Sequence, residues 1–104
     1  MKFKDKTVVV TGSRRGIGLG IALEFAKLGA NVVLNGTREI DAETLAQFDA
    51  YPGEVMTFVG DVSKFDVAEN FINEVKERFG RIDVLVNNAG IDRKSTRLNS
   101  SHRL

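Results

Sequence analysis

The chain has 104 residues, of which 42% are hydrophobic and 28% are charged, a composition typical of one globular domain or a piece of one. It has no apolar run near the roughly 20 residues of a membrane span, its first residues do not resemble a secretion signal, and the absence of cysteine excludes disulfides and thiolate metal sites. Residues 92–104 contain four basic residues and one acid, which leaves 11 basic and 13 acidic residues, a net charge of −2, in residues 1–91. We therefore expect a cytoplasmic protein that binds no nucleic acid, no membrane and no metal.

The first third of the chain predicts a strand, a glycine-rich turn and a helix. Residues 6–10 are mostly β-branched, as in a strand that is buried on both faces. The glycine-rich stretch 11–18 follows, and the helix predicted over 17–28 carries an apolar stripe at Ile17, Ile21, Phe25 and Leu28. A turn of this kind lets the backbone approach a ligand closely, and the helix start offers free N–H groups to a phosphate.

The remaining residues alternate between strands and helices. We predict strands over 31–35, 55–59 and 82–86, and helices over 41–49 and 63–79, the last with Ser63 as its N-cap. The order β-α-β-α-β-α-β predicts an α/β fold with a parallel sheet. We expect the strand order 3-2-1-4, which is an incomplete, N-terminal part of a doubly wound, Rossmann sheet.

The predicted topology places two loops at one edge of the sheet. In a doubly wound sheet, ligands bind outside the carboxyl ends of the strands, where the winding reverses between strands one and four. The glycine-rich turn after the first strand and the stretch 87–90 after the fourth both lie there. We therefore expect the two to converge on one ligand, although some 70 residues separate them in sequence.

Two motifs carry a family resemblance. Thr11-Gly12-x-x-x-Gly16-Ile17-Gly18 closes the first strand and Asn87-Asn88-Ala89-Gly90 closes the fourth. With Asp61 after the third strand, they resemble the short-chain dehydrogenases/reductases over residues 1 to about 91. The amino-acid sequence of residues 15–18, 29–35 and 84–91 is most similar to that of the bacterial 3-oxoacyl-[acyl-carrier-protein] reductases.

The resemblance implies an activity and its partners. It implies NADPH-dependent reduction of 3-oxoacyl-[acyl-carrier-protein] to the 3-hydroxyacyl form in fatty-acid synthesis, with an acyl-carrier-protein thioester as substrate and a homotetrameric parent enzyme. A reductase of a sugar, steroid or small alcohol and a non-catalytic NAD(P)-binding module are the alternatives. The family's catalytic Ser and Tyr-x-x-x-Lys set would follow the fourth strand, and the one tyrosine here, Tyr51, precedes the third. We therefore predict that this chain contains no catalytic residue and is inactive by itself.

The resemblance also implies which residues bind the cofactor. Those that would wrap the diphosphate and the adenosine ribose are Gly12, Ser13, Arg14, Arg15, Gly16, Ile17 and Gly18. Asp61 would accept a hydrogen bond from the adenine amino group and Val62 would pack on the ring. Those that would line the path to the nicotinamide ribose are Asn88, Ala89 and Gly90.

The end of the second strand favours NADP(H) over NAD. An NAD site usually has an acid there for the ribose 2′-hydroxyl, but the stretch reads Asn35-Gly36-Thr37-Arg38. Arg14, Arg15 and Arg38 are available for a 2′-phosphate, whereas Glu39 would favour NAD if it reached the ribose. Several roles stay open: Thr37 is either a phosphate contact or a loop residue, Asp61 either an adenine ligand or a local cap for Ser63. Asn87 and Asn88 are alternatively turn residues, and Arg14 and Arg15 solvated charges.

The last residues do not resemble the family. Asp92-Arg93-Lys94-Ser95 and the residues after it read as the in-frame translation of a sequencing-library adapter that begins GATCGGAAGAGC. We expect residues 1–91 to be a partial cofactor-binding domain and residues 92–104 to be a non-native, disordered tail, the alternative being a genuine basic, serine-rich tail.

Overall fold

The computed structural model describes residues 2–90 and 101–102. In chain order, its elements are β1 (Thr7–Val10), α1 (Gly16–Lys27), β2 (Asn31–Gly36), α2 (Ala42–Ala46), β3 (Val55–Val59), α3 (Phe65–Phe79), β4 (Val84–Val86), a short 3₁₀ turn (Asn88–Gly90) and β5 (Ser101–His102). The predicted alternation of strands and helices is confirmed. Within the described part, no helix has the length and apolar character that crossing a membrane requires.

One sheet joins all the strands in the order β3-β2-β1-β4-β5. β1 lies between β2 and β4 and pairs in parallel with both, with Val10 opposite Leu34 on one side and Val86 on the other. The predicted order 3-2-1-4 of a Rossmann sheet is therefore confirmed. β1 and β4 are neighbours on either side of the reversal, so the loops that follow them leave the sheet side by side.

The strand β5 is a feature that the sequence did not predict. Ser101 and His102 pair antiparallel with Val86 and Leu85 of β4, although we expected disorder over 92–104. An edge strand has unpaired N–H and C=O groups that an extended segment of any sequence can satisfy, since main-chain bonding needs no particular side chains. The other residues of the expected tail lie outside the described part.

Helix α1 covers one face of the sheet through small residues. Its buried positions are Gly18, Ala22 and Ala26, spaced by four residues. The apolar stripe predicted from Ile17 to Leu28 is therefore wrong in its position: Ile17 is 73% exposed and Leu28 is 39% exposed. Small side chains let the helix lie close to β1 and β2, and larger neighbours such as Phe25 pack at the margins of the core.

Helix α3 covers the opposite face as predicted. Phe71 and Val75 are buried against Val9 and Val33 of the sheet, and the ring of Phe71 stacks on Phe58 at 4.4 Å between centroids. The predicted start of this helix is wrong, because α3 begins at Phe65 with Lys64 at the N-cap position and no side-chain cap. The Ser63 hydroxyl bonds to Asp61 instead. Helix α2 is shorter than predicted, and Phe48 is buried just beyond its end.

At the amino edge of the sheet, Asp83 ties β1 to β4. Its carboxylate accepts a hydrogen bond from the Thr7 backbone N–H at 2.8 Å and bonds from the Arg81 guanidinium at 2.6 to 3.0 Å. Burial raises the pKa of Asp83, but the hydrogen bonds from Arg81 and Thr7, together with the charges of Arg81 and Lys6, outweigh this effect and lower it. The carboxylate therefore holds the two central strands in register in its ionised form.

Replacing Asp83 by Asn keeps the shape and one acceptor oxygen but removes the charge. Because the folded pKa is lowered, the stabilisation is present above the ordinary value of about 3.9 and is lost as the pH falls through the folded pKa. We expect Asp83→Asn to reduce the free energy of unfolding at neutral pH by about 1–2 kcal/mol. The free energy of unfolding of this variant should also fall less steeply as the pH is lowered. Urea denaturation at neutral and acidic pH measures both effects. The exposed Asp49→Asn is the control, and a variant that keeps full acid sensitivity would contradict this role.

Candidate cofactor-binding site

The turn after β1 is shaped by glycines where the backbone comes closest to its neighbours. Gly12 has a φ of +61°, in the left-handed region that favours glycine. A side-chain carbon on Gly18 would lie 2.3 Å from the Gly12 carbonyl oxygen and 2.6 Å from Nδ2 of Asn88. A side chain at Gly18 would therefore separate α1 from both the turn and the loop after β4. Helix α1 begins at Gly16 with no side-chain cap and no acid in its first turn, which leaves its start suited to an anion.

Hydrogen bonds join this turn to the loop that follows β4. The Thr11 hydroxyl accepts a bond from the Ala89 N–H at 2.9 Å, and lies 3.2 Å from Oδ1 of Asn87. The Asn88 side chain donates to the Gly12 carbonyl at 2.9 Å. The structure therefore brings together the two motifs that the sequence predicted to converge. Both asparagine side chains bond to the turn after β1, 76 residues away in sequence, and these bonds differ from the local backbone bonds that the alternative interpretation expected.

A cleft of about 530 Å³ opens at the carboxyl edge of the sheet. Eight of the predicted binding residues line it: Gly12, Arg14, Arg15, Thr37, Arg38, Asp61, Val62 and Ala89. The other six predicted residues are not part of its lining: Ser13, Gly16, Ile17, Gly18, Asn88 and Gly90. The cleft is also lined by Asn35, Gly36, Gly60 and Ser63, which the sequence did not assign to the site.

Ser13 and Asn35 form the buried floor of this region. Ser13 is fully buried, and its hydroxyl donates to the Val10 carbonyl at 2.7 Å and accepts from the Asn35 N–H at 2.9 Å. The Ser13 side chain therefore supports the turn instead of facing the cleft. The sequence analysis did not assign Asn35 to the site. The feature that could have indicated it is a polar residue directly after the apolar run Val32-Val33-Leu34 of β2.

Three arginines make one wall of the cleft cationic. Arg14 lies across the end of β2, where a side-chain carbon on Gly36 would come within 3.0 Å of its Cβ. Its Nε donates to the Glu39 carbonyl oxygen at 3.2 Å, so Glu39 holds Arg14 through its main chain and its carboxylate does not line the cleft. Arg15 and Arg38 are exposed at the rim. This wall suits a phosphate group because guanidinium groups donate several charge-assisted hydrogen bonds.

Asp61 also lines the cleft and is held by Ser63. Its Oδ1 accepts from the Ser63 hydroxyl at 2.6 Å and from the Ser63 N–H at 3.0 Å. These two hydrogen bonds, with the charge of Lys64, lower the pKa of Asp61. The local bond that the sequence gave as an alternative is therefore present, and the carboxylate remains an ionised acceptor that can still receive a further donor.

Together these features define a class of site. The site combines a helix start suited to an anion, a close-packed glycine turn, cationic groups and an acid. They lie where the winding of the doubly wound sheet reverses, and such a set is typical of a dinucleotide-binding site. The model of the short chain dehydrogenase family matches residues 6–103. The chain belongs to the short chain dehydrogenase family.

Two curated relatives illustrate this similarity. The 3-oxoacyl-[acyl-carrier-protein] reductase of Chlamydia muridarum is 43% identical over 93 residues, which cover 88% of this chain and 38% of that protein. An 11-beta-hydroxysteroid dehydrogenase-like protein of Arabidopsis thaliana is 42% identical over 90 residues, covering 83% of this chain and 29% of that protein. The chain thus spans about a third of the length of these relatives.

Two solved structures with a similar fold contain a bound cofactor. A metagenomic short-chain oxidoreductase in complex with NADP matches with a TM-score of 0.76 and 39% identity, covering 88% of this chain and 42% of that one. The 3-oxoacyl-[acyl-carrier protein] reductase from Brucella melitensis in complex with NAD has a TM-score of 0.76 and 34% identity, covering 86% and 35%. The cofactor of this family is a nicotinamide dinucleotide, and the predicted class of cofactor is confirmed. The choice of NADP(H) over NAD(H) stays a prediction.

Two glycines of α1 provide a matched test of the close approach. We expect Gly18→Ala to reduce the free energy of unfolding by about 1–3 kcal/mol and to weaken dinucleotide binding, because the new methyl group meets the Gly12 carbonyl. In Gly20→Ala the new methyl group has nothing within 4 Å, so helix propensity should stabilise the protein by about 0.5–1 kcal/mol. Thermal unfolding and cofactor titration measure both. Equal effects of the two substitutions would contradict the importance of this contact.

A second substitution tests how Asp61 is kept ionised. Ser63→Ala removes the hydroxyl that donates to Asp61, so the pKa of Asp61 should rise towards that of an ordinary aspartate. A carboxyl-carbon NMR titration measures this shift, and Ser63→Thr, which keeps the hydroxyl, is the control. The prediction fails if the Asp61 carboxyl gives the same titration curve in Ser63→Ala and in Ser63→Thr.

Proposed function

We propose that residues 1–91 are the N-terminal, cofactor-binding part of an NADPH-dependent reductase that acts on 3-oxoacyl-[acyl-carrier-protein]. The observation that carries the choice of NADPH is the wall formed by Arg14, Arg15 and Arg38 at the end of β2, where Gly36 replaces the acid of an NAD site. A 2′-phosphate on this wall meets cationic donors and no carboxylate from β2. Thr37 lies on the same wall and offers a hydroxyl.

Each part of the site has a distinct task under this proposal. Gly12 and the start of α1 (Gly16, Ile17 and Gly18) receive the diphosphate, while Ser13 supports the turn from below. Asp61 accepts from the adenine amino group, and Val62 packs against the ring. The Asn88–Gly90 turn lies towards the nicotinamide ribose. When bound, the reduced nicotinamide supplies a hydride to the 3-keto carbon as the carbonyl oxygen takes up a proton.

The proton donor lies outside the described residues under this proposal. Tyr51 is the one tyrosine in the chain, and it lies in the segment between α2 and β3, among the residues of a separate cavity beside Phe48. This places it at the amino end of β3, away from the cofactor cleft. We therefore infer that the 104-residue chain binds the dinucleotide cofactor and does not by itself reduce a ketone.

The wider role follows from the relatives. The similarity to 3-oxoacyl-[acyl-carrier-protein] reductases supports an acyl-carrier-protein thioester as the substrate. That the parent enzyme is a cytoplasmic homotetramer of fatty-acid synthesis is part of the same proposal. The almost equal similarity to a steroid dehydrogenase-like protein favours, as the second candidate, a reductase of another ketone. The residues that choose between these substrates belong to the part of the relatives that this chain does not span.

The complete reading frame that contains residues 1–91 tests this proposal. We expect it to encode Tyr-x-x-x-Lys after β4, and the purified enzyme to oxidise NADPH when given a 3-oxoacyl thioester. Activity on a steroid or small ketone but not on the thioester would support the second candidate. A reading frame without the tyrosine and lysine, with cofactor binding but no turnover, would indicate a non-catalytic module.

Substituting the arginines tests the choice of cofactor. We expect Arg14→Met or Arg38→Met in that enzyme to weaken NADPH binding about tenfold or more, since each removes charge-assisted bonds to a 2′-phosphate, and to leave NADH binding nearly unchanged. Isothermal titration calorimetry with each cofactor measures the ratio of the affinities for NADPH and NADH. Arg78→Met, which removes a surface arginine paired with Glu54 outside the cleft, is the control. Equal losses for NADPH and NADH would contradict the proposed preference.

A further inference from the structure

Asn35 connects three segments of the cleft through one buried side chain. It is 2% exposed and lies next to the last residue of β2. Its Oδ1 accepts from the Gly12 backbone N–H at 3.0 Å. Its Nδ2 donates to the Phe58 carbonyl at 3.1 Å and to the Gly60 carbonyl at 3.2 Å. The turn after β1 and the end of β3 are therefore held by the same amide group.

The chemistry of these partners fixes the orientation of the amide. The Gly12 N–H can only donate, so it must face the oxygen of Asn35, and the two carbonyls can only accept, so they must face the NH₂ group. The main chain of Asn35 is also paired, because its N–H donates to the Ser13 hydroxyl and its carbonyl accepts from the Ser13 N–H at 2.7 Å. A carboxylate in the same place would face two carbonyl oxygens without a hydrogen to offer.

The two segments that Asn35 joins bind different parts of a dinucleotide. Gly12 belongs to the turn proposed to hold the diphosphate, and Gly60 directly precedes Asp61 on the adenine side of the cleft. We propose that Asn35 is a positioning residue that sets the distance between the diphosphate-binding turn and the adenine-binding loop, so that one dinucleotide engages both. This inference rests on the proposed cofactor function. A site held at the right spacing before binding loses less freedom when the ligand arrives.

A second asparagine on the same strand, Asn31, is a control that distinguishes this positioning role from a bond that only joins β2 to the β3 segment. At the start of β2, Oδ1 of Asn31 accepts from the Glu54 N–H at 2.9 Å, so it also joins β2 to the β3 segment. It lies at the amino end of the sheet, away from the cleft. Asn31 therefore shares the kind of bond that Asn35 makes and lacks its connection to Gly12.

The experiment compares two ligands of the complete reductase that contains this domain. 2′-AMP reaches only the adenine side and the cationic wall, whereas NADPH also contacts the turn at Gly12. We expect Asn35→Ala to weaken NADPH about tenfold more than 2′-AMP. Asn31→Ala should change both affinities equally. All titrations are made at the same interval below each variant's melting temperature, so that a loss of stability alone does not change the ratio of affinities.

A second variant and a measurement on the unaltered enzyme keep the inference testable if Asn35→Ala does not fold. Asn35→Ser replaces the amide with one smaller hydroxyl group, which can restore part of the lost bonding, and should shift the ratio of the NADPH and 2′-AMP affinities in the same direction by a smaller factor. In the unaltered enzyme, adenosine alone, which has no phosphate to contact Arg14 and Arg15, should slow hydrogen exchange of the peptide that contains Gly12. Unchanged affinity ratios in the folded Asn35 variants, or no slowing at Gly12, would overturn the inference. Failure of the unaltered enzyme to bind either NADPH or NADH would overturn the proposed function instead.

Discussion

The close approach of Gly18 to the Gly12 carbonyl and to the Asn88 side chain is the constraint on which the rest of this structure depends. It requires a residue without a side chain where α1 meets the turn, and it requires β4 to lie beside β1 so that the Asn88 side chain reaches the Gly12 carbonyl. The parallel order of the sheet, the small residues on the inner face of α1 and the pairing of Asp83 with Thr7 all serve this arrangement. The shape of the turn after β1 is thus the product of packing on both sides of that strand.

Much of the fold was predictable because its signals are local. A β-branched run such as Val8–Val10 indicates a buried strand, and the recurrence of Phe71 and Val75 indicates the buried face of α3. The inner face of α1 was not predictable from hydrophobicity, because the positions that approach the sheet are glycine and alanine while Ile17 points to solvent. β5 could not be predicted either, since main-chain pairing at an edge leaves no pattern in the sequence.

The site was predictable in its location and less so in its details. The cleft opens at the predicted edge of the sheet, and Gly12, Arg14 and Arg15 of the motif line it together with Thr37 and Arg38. The binding roles of these residues stay predictions. The roles of Ser13 and Asn35 depend on which groups face each other across two strands and a turn, and this information is absent from spacing along the chain. Glu39 is instructive: its side chain suggested one cofactor preference, whereas its carbonyl holds the arginine that supports the other.

The bonds between the Thr11–Gly12 pair and the Asn88–Ala89 pair join residues 76 and 78 positions apart. Contacts of such long sequence separation form late, because the intervening chain must be ordered first. During synthesis, when roughly 5–20 residues are added each second and a chain folds from its N-terminus, β1, α1 and β2 are available well before the residues that complete the turn. The turn after β1 therefore lacks its bonds from Asn88 and Ala89 until translation has passed β4. Under the proposed function, the nascent chain reaches its full affinity for the dinucleotide only after that point.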